Sequence, residues 1–156
     1  MIIAAAFVLA SATFKPNARM PLTTVYKECG GSNISPELHW RGAPARTKSF
    51  ALIVHDPDAP APGGWYHWVA YNLPATTEKM PPGMKLADSQ LGETSFTENR
   101  YGGPCPPPGK PHHYNFTLYA LDVATIVGDH LTGPELEKQI AGHTLAKATL
   151  TGLYGR

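Results

Sequence analysis

Charge is scarce in this chain, and so is cysteine. Only 16% of the 156 residues are Asp, Glu, Lys or Arg, the net charge is +1, and no run of like charges occurs. A general binder of nucleic acid needs a basic patch, so the composition argues against that class. No apolar run reaches the length of about 20 residues that spans a bilayer, so no transmembrane segment is expected. Several catalytic signatures are also missing. There is no G-x-S-x-G nucleophile elbow, no P-loop, no G-x-G-x-x-G and no H-E-x-x-H. The two cysteines, Cys29 and Cys105, each lie in a glycine-rich stretch. On their own they read as free thiols of a cytosolic protein.

Turn formers are plentiful. Sixteen prolines and fifteen glycines cluster between apolar runs, while 42% of the chain is hydrophobic. That is the punctuation of a β-rich domain with many turns. The length suits one domain with a real core. Residues 1–6, MIIAAA, form an N-terminal extension or the remnant of an export signal, with Ala10-Ser11-Ala12 as a candidate cleavage site. The domain itself takes up residues 7–156, its first strand running from Phe7 to Phe14.

The stretch that organises the rest is His55 to Trp68, HDPDAPAPGGWYHW. Phe50 to Val54 feeds into it and Val69 to Leu73 leaves it, so two buried strands flank a polar loop. By strict alternation Asp56 shares a face with Phe50, Leu52 and Val54. His67 shares one with Val69, Tyr71 and Leu73. The clearest strand is His112 to Leu121, with His112, Tyr114, Phe116 and Leu118 on one face. Leu22 to Tyr26 and Leu38 to Trp40 read as short strands, and Pro74 to Ser95 as a long surface connection. Pro134 to Ala141 is the best helix, capped by Thr132 or Gly133. Ala146 to Tyr154 is a last strand, whose Ala146, Ala148 and Leu150 face is expected to pack under that helix.

Three strand ends therefore carry polar groups: Asp56 with His55, Trp65 with His67, and His112 with Tyr114. Imidazoles and a phenol can donate hydrogen bonds to a small anion, and N–H groups near Gly102 and Gly103 could add a nest. Asp56 fits such a site if it orients and charges His67, or if it is itself protonated. Affinity should then rise as pH falls through the histidine range, roughly pH 6 to 7. His with Asp is also ordinary metal chemistry, but the spacings match no compact metal motif. Nucleophilic catalysis is weaker still, because no Ser lies in these three stretches.

Taken together, Asp56-Pro57-Asp58-Ala59-Pro60, Trp65-x-His67, and Gly103 through Pro111 into His112-x-Tyr114 resemble the signature regions of the phosphatidylethanolamine-binding protein family. This family is also called Raf kinase inhibitor-like. Ser35-Pro36-Glu37-Leu38-x-Trp40 and Lys48-Ser49-Phe50-Ala51 fit its bacterial branch. The resemblance covers nearly the whole chain from Phe7. It implies a mostly β fold, a Greek-key antiparallel β-sandwich with a few short helices. It also implies a non-catalytic pocket for phosphate, phosphorylated ligands or phospholipid headgroups. The pocket residues carried over are Asp56, Pro60, Trp65, His67, Gly103, His112 and Tyr114. His113 stands where the commoner family pattern has Arg. No catalytic residue, metal or cofactor is expected. A homodimer is implied, with a kinase or protease as a possible protein partner. The alternative is a metal-dependent or His67/Asp56-dependent hydrolase of small phosphoesters. In the family fold both glycine-rich loops lie at one end of the sandwich, which implies a Cys29–Cys105 disulfide. That bridge would in turn fit a periplasmic or secreted location, against a cytoplasmic one.

Overall fold

A computed structural model describes all of residues 1–156. Its centre is β3 (Ser49–Asp56), which is apolar on both faces because it is covered on both. Phe50, Leu52 and Val54 look one way; Ala51 and Ile53 look the other. β3 pairs antiparallel with β4 (Trp65–Pro74) on one side and β7 (His112–Leu121) on the other, and β9 (Thr144–Tyr154) pairs with β7. The order β4-β3-β7-β9 means that the chain leaves the β3–β4 hairpin and returns beside β3 after a long connection, a Greek-key crossing. A smaller antiparallel sheet is built from β1 (Val8–Ala10), β2 (Leu38–Arg41) and β5 (Lys79–Met80), in the order β1-β2-β5. β6 (Gly92–Glu93) and β8 (His130–Thr132) form a short parallel pair.

The main core fills the space between the two larger sheets. Leu38, Trp40 and Met80 of the small sheet join Phe50, Leu52, Trp68, Phe116, Leu118 and Leu150 of the large one. Trp40 meets Phe50 edge-on, with centroids 5.4 Å apart. A second cluster lies on the outer face, where Leu136 and Ile140 of α1 (Gly133–Ile140) cover Ala51, Ile53, Val69 and Tyr71. The helix starts at a capping box. Thr132 Oγ1 accepts the Glu135 N–H, and the Glu135 carboxylate accepts the Thr132 N–H at 2.8 Å. No helix is long and apolar enough to cross a membrane.

Four sequence expectations change. Leu22–Thr24 is a single 3-10 turn rather than a strand, because the Thr24 N–H and hydroxyl both bond back to the Pro21 carbonyl. The first strand is only Val8–Ala10, since the Ala12 N–H turns to the Glu37 carboxylate instead of a ladder partner. The connection after Pro74 is not all surface, for Met80 is fully buried in the main core. Finally, β9 does not pack its small face under α1. Leu150 pairs with Phe116 and Ala148 with Leu118, opposed residues share a face, and that face belongs to the main core. The helix sits on the other side of the sheet.

Candidate functional site

The end of β3, the start of β4 and the start of β7 meet at one edge of the large sheet. Asp56 lies opposite Trp65, and one residue earlier His55 lies opposite Asn115 of β7. Strict alternation would turn His67 away from Asp56, toward the helix-covered face. A β-bulge prevents this. Val54 pairs with Trp68 but His55 pairs with Tyr66, so His67 is the extra residue. The bulge re-aims a side chain, as bulges beside sites do. The His67 ring meets Tyr114 at 5.0 Å and Phe96 at 5.4 Å, both edge-on. The expected face shared by His67, Val69 and Tyr71 is thus broken by the bulge. A second irregularity near Asn72, which has a φ of 56°, moves Leu73 to the main core as well.

A cavity of about 440 Å³ opens here, a size suited to a small ligand. Asp56, Pro60, Trp65, His67, His112 and Tyr114 all line it. His112 Nδ1 donates to Asp56 Oδ2 at 2.7 Å, and the Asp58 N–H donates to Asp56 Oδ1 at 2.8 Å. Both carboxylate oxygens are thus engaged, and Asp56 orients His112 rather than His67. His67 Nδ1 lies 2.8 Å from the Gly102 carbonyl. A carbonyl only accepts, so Nδ1 carries the hydrogen and Nε2 is left as an acceptor when the ring is neutral. Burial pushes this imidazole down to about 4, against the Gly102 carbonyl and the Asp56 charge, which pull it up. The ring is therefore neutral across the pH 6 to 7 window in which it was expected to titrate. The Tyr114 side chain is buried and its phenol oxygen has no hydrogen-bond partner. Burial, and then the charge of Asp56, hold that phenol protonated.

Gly103 is the one expected ligand residue that the structure does not bring to the cavity. Its N–H donates to Asn33 Oδ1 at 2.7 Å, and the Gly102 N–H donates to the His67 carbonyl at 2.8 Å. No free nest remains. These glycines serve packing: a Cβ on Gly103 would stand 1.9 Å from the Thr24 carbonyl oxygen, and one on Gly102 would stand 2.4 Å from the Phe96 ring. Gly102 acts instead through its carbonyl, which sets the His67 tautomer.

Two aromatic wall residues, Tyr26 and Phe96, complete the cavity in ways strand patterning could not show. Phe96 stacks on Tyr26 at 4.5 Å and meets Trp65 edge-on at 5.5 Å. Both Tyr26 and Phe96 lie in loops, where no periodicity marks them. Glu28, Cys105, Pro106 and Pro107 add to the same wall. Cys29 and Cys105 are joined as a disulfide with Cα atoms 5.5 Å apart, which fastens the Glu28 turn to the proline-rich loop. His55 turns away, its ring lying against Tyr66 and its Nε2 donating to the Gly63 carbonyl. His113 is exposed and donates from Nδ1 to Asp58 Oδ2 at 2.7 Å, a hydrogen bond that holds the Asp58 carboxyl below its usual range. No three His, Cys, Asp or Glu side chains converge as a metal ligand set.

Comparison with known proteins agrees with this architecture. The sequence profile described as phosphatidylethanolamine-binding protein matches residues 10–155. YbcL of Escherichia coli (strain K12) is 38% identical, over 97% of this chain and 88% of that protein. YbhB of the same strain is 38% identical, over 94% of this chain and 98% of that one. The crystal structure of YbcL, described as a member of the mammalian PEBP family, superimposes with a TM-score of 0.91 at 37% identity, covering 97% of this chain and 99% of that one. That of the Chlamydia trachomatis homologue CT736 gives 0.87 at 35%, covering 97% and 98%. The chain belongs to the phosphatidylethanolamine-binding protein family.

Proposed function

We propose that the cavity binds a small oxyanion, either phosphate or the phosphoryl group of a larger ligand such as a lipid headgroup, and does not turn it over. One observation carries this reading. Tyr114 lines a cavity shared with two imidazoles, and its hydroxyl is a buried donor without a partner. An orphaned buried hydroxyl costs about 1 to 3 kcal/mol, a cost that a ligand oxygen would remove. His67 and His112 supply the flanking polar contacts, while Pro60, Trp65 and Phe96 form an apolar wall. The description of the matched family points to the same ligand chemistry. Calorimetric titration with phosphate tests the reading, and Tyr114→Phe locates the site.

The Asp56–His112 pair supports a second reading, since a carboxylate-oriented imidazole can activate water. Hydrolysis of small phosphoesters would then follow, although no Ser or Cys nucleophile with an adjacent base lines the cavity; its one cysteine, Cys105, is in a disulfide. Release of phosphate from phosphoethanolamine, abolished by His112→Ala, would select this reading over simple binding. We extend the main proposal to a homodimer, on the family likeness, with a kinase or protease as the partner class. A periplasmic or secreted site is supported by the Cys29–Cys105 bridge, because such bonds persist in oxidising compartments.

A further inference from the structure

We propose that the Cys29–Cys105 bridge is a redox latch on the cavity. Bridged, the two cysteines hold the Glu28 turn and the proline-rich loop together as one wall, and the cavity binds its ligand. Reduced by a dithiol, they release that wall and weaken binding while the fold persists. The proposal rests on the cavity being an oxyanion site, and it adds how that site is regulated.

Both joined segments line the cavity, Glu28 from the turn and Cys105, Pro106 and Pro107 from the loop. They have few other fastenings. In the 3-10 turn Lys27–Cys29 the backbone hydrogen bonds are all local. The Cys29 and Gly31 N–H groups donate to the Tyr26 carbonyl, and the Gly30 N–H donates to the Lys27 carbonyl. Pro106, Pro107 and Pro108 have no N–H to donate. Their loop is held through the Pro106 carbonyl, which accepts from Arg156 Nε at 2.8 Å. The bridge therefore supplies the tie between turn and loop that their hydrogen bonds do not. Both cysteines are half-buried, so a small dithiol can reach it.

The fold has its own ties one layer further in. The Tyr26 N–H donates to the Pro104 carbonyl at 3.0 Å, and the Tyr101 hydroxyl to the Thr24 carbonyl at 2.8 Å. Asn33 accepts from the Gly103 N–H at 2.7 Å and donates to the Tyr101 carbonyl at 3.1 Å. None of these bonds needs the bridge. Release should therefore stop at the turn and at the loop beyond Pro104.

The covalent step balances as thiol–disulfide exchange. A thiolate of the dithiol attacks one sulfur of the bridge, the S–S bond breaks and a mixed disulfide forms. The second thiol of the reductant then closes its own disulfide and frees the remaining cysteine. Two electrons and two protons pass from the dithiol to Cys29 and Cys105. Release has two opposed effects on an anion. A loose wall must be ordered again by the ligand, which weakens binding. A Glu28 carboxylate that swings outward repels the anion less. Glu28 is exposed, so water and salt screen its charge and the ordering cost decides the sign. Coupling is reciprocal: phosphate must favour the bridged form by the factor by which the bridge favours phosphate.

The test is calorimetry of the whole chain with inorganic phosphate, bridged and after reduction with dithiothreitol. Affinity should fall at least about fivefold on reduction, the lower end of ordinary coupling between sites, with far-UV circular dichroism unchanged. At a fixed ratio of oxidised to reduced dithiothreitol, saturating phosphate should raise the bridged-to-reduced ratio by the same factor, read by alkylation and mass spectrometry. Glu28→Gln should keep the same ratio of affinities between the two redox forms, and loss of that ratio would assign the effect to the carboxylate and overturn the latch. Equal affinity in both redox forms, or bridging indifferent to phosphate, overturns the latch and leaves the oxyanion site standing. A reduced chain that loses its circular dichroism overturns it too, because the bridge would then hold the fold and not the cavity wall. No phosphate binding in the bridged form removes the oxyanion site and the latch together.

Discussion

Asp56 and His112 form a buried pair across adjacent strands, with Nδ1 of the imidazole 2.7 Å from Oδ2 of the carboxylate and both side chains screened from water. The pair fixes which His112 nitrogen carries hydrogen, and it closes the edge of the sheet where β3 stops. Asp56→Ala would leave two donors without their partner, the Asp58 N–H and the buried His112 Nδ1. A loss of about 3 kcal/mol in unfolding free energy is expected, read by urea denaturation. A change below 0.5 kcal/mol, or roughly the level of a surface substitution, would show that the pair contributes nothing to the fold.

His67 should make stability fall in mild acid. Its folded value, about 4, lies below the ordinary 6.5. The unfolded chain therefore takes up a proton first as pH drops. Stability contributed by the neutral buried ring is whole above pH 6.5 and declines between there and pH 4. The full difference is about 3 kcal/mol. Denaturation curves of wild type and His67→Phe should thus converge or cross as pH falls through this window. Parallel curves would mean that His67 does not carry the proton uptake.

Leu136 and Leu150 lie on opposite faces of the large sheet, in separate clusters. Each Leu→Ala change should cost about 2 to 5 kcal/mol, and the double variant should lose the sum within about 0.5 kcal/mol. Strong coupling would restore the arrangement in which β9 packs beneath α1.

The Cys29–Cys105 bridge spans 76 residues of sequence. On the chain-entropy account, reducing it should cost roughly 4 kcal/mol, read as a lower urea midpoint with dithiothreitol present. An unchanged midpoint would mean that the thiols are not bonded in the purified protein.

Much of this architecture is legible in the sequence wherever a rule acts locally. The two-faced hydrophobicity of Phe50 to Val54 marks a central strand, and Thr132 to Glu135 spells out a capped helix. His112 and Tyr114 alternate onto the face that carries Phe116. The site loses legibility where pairing or packing at a distance decides. The bulge at His67 arises from the register of β4 against β3, which strand alternation cannot show. Gly103 looks like a free donor until Asn33, seventy residues away, takes its N–H. Phe96 and Tyr26 sit in loops and meet only in the folded chain. The face of β9 was ambiguous because both sides of the sheet are covered by apolar layers.

The central claim is that Tyr114 is a binding donor kept free for a ligand, and Tyr114→Phe tests it with two readouts of opposite sign. Removing an unpartnered buried hydroxyl should leave the melting temperature unchanged or raise it. Phosphate affinity measured by calorimetry should fall by tenfold or more, since a hydrogen bond to a charged oxygen is worth about 1.5 to 3 kcal/mol. Unchanged phosphate affinity in a folded variant would contradict the account.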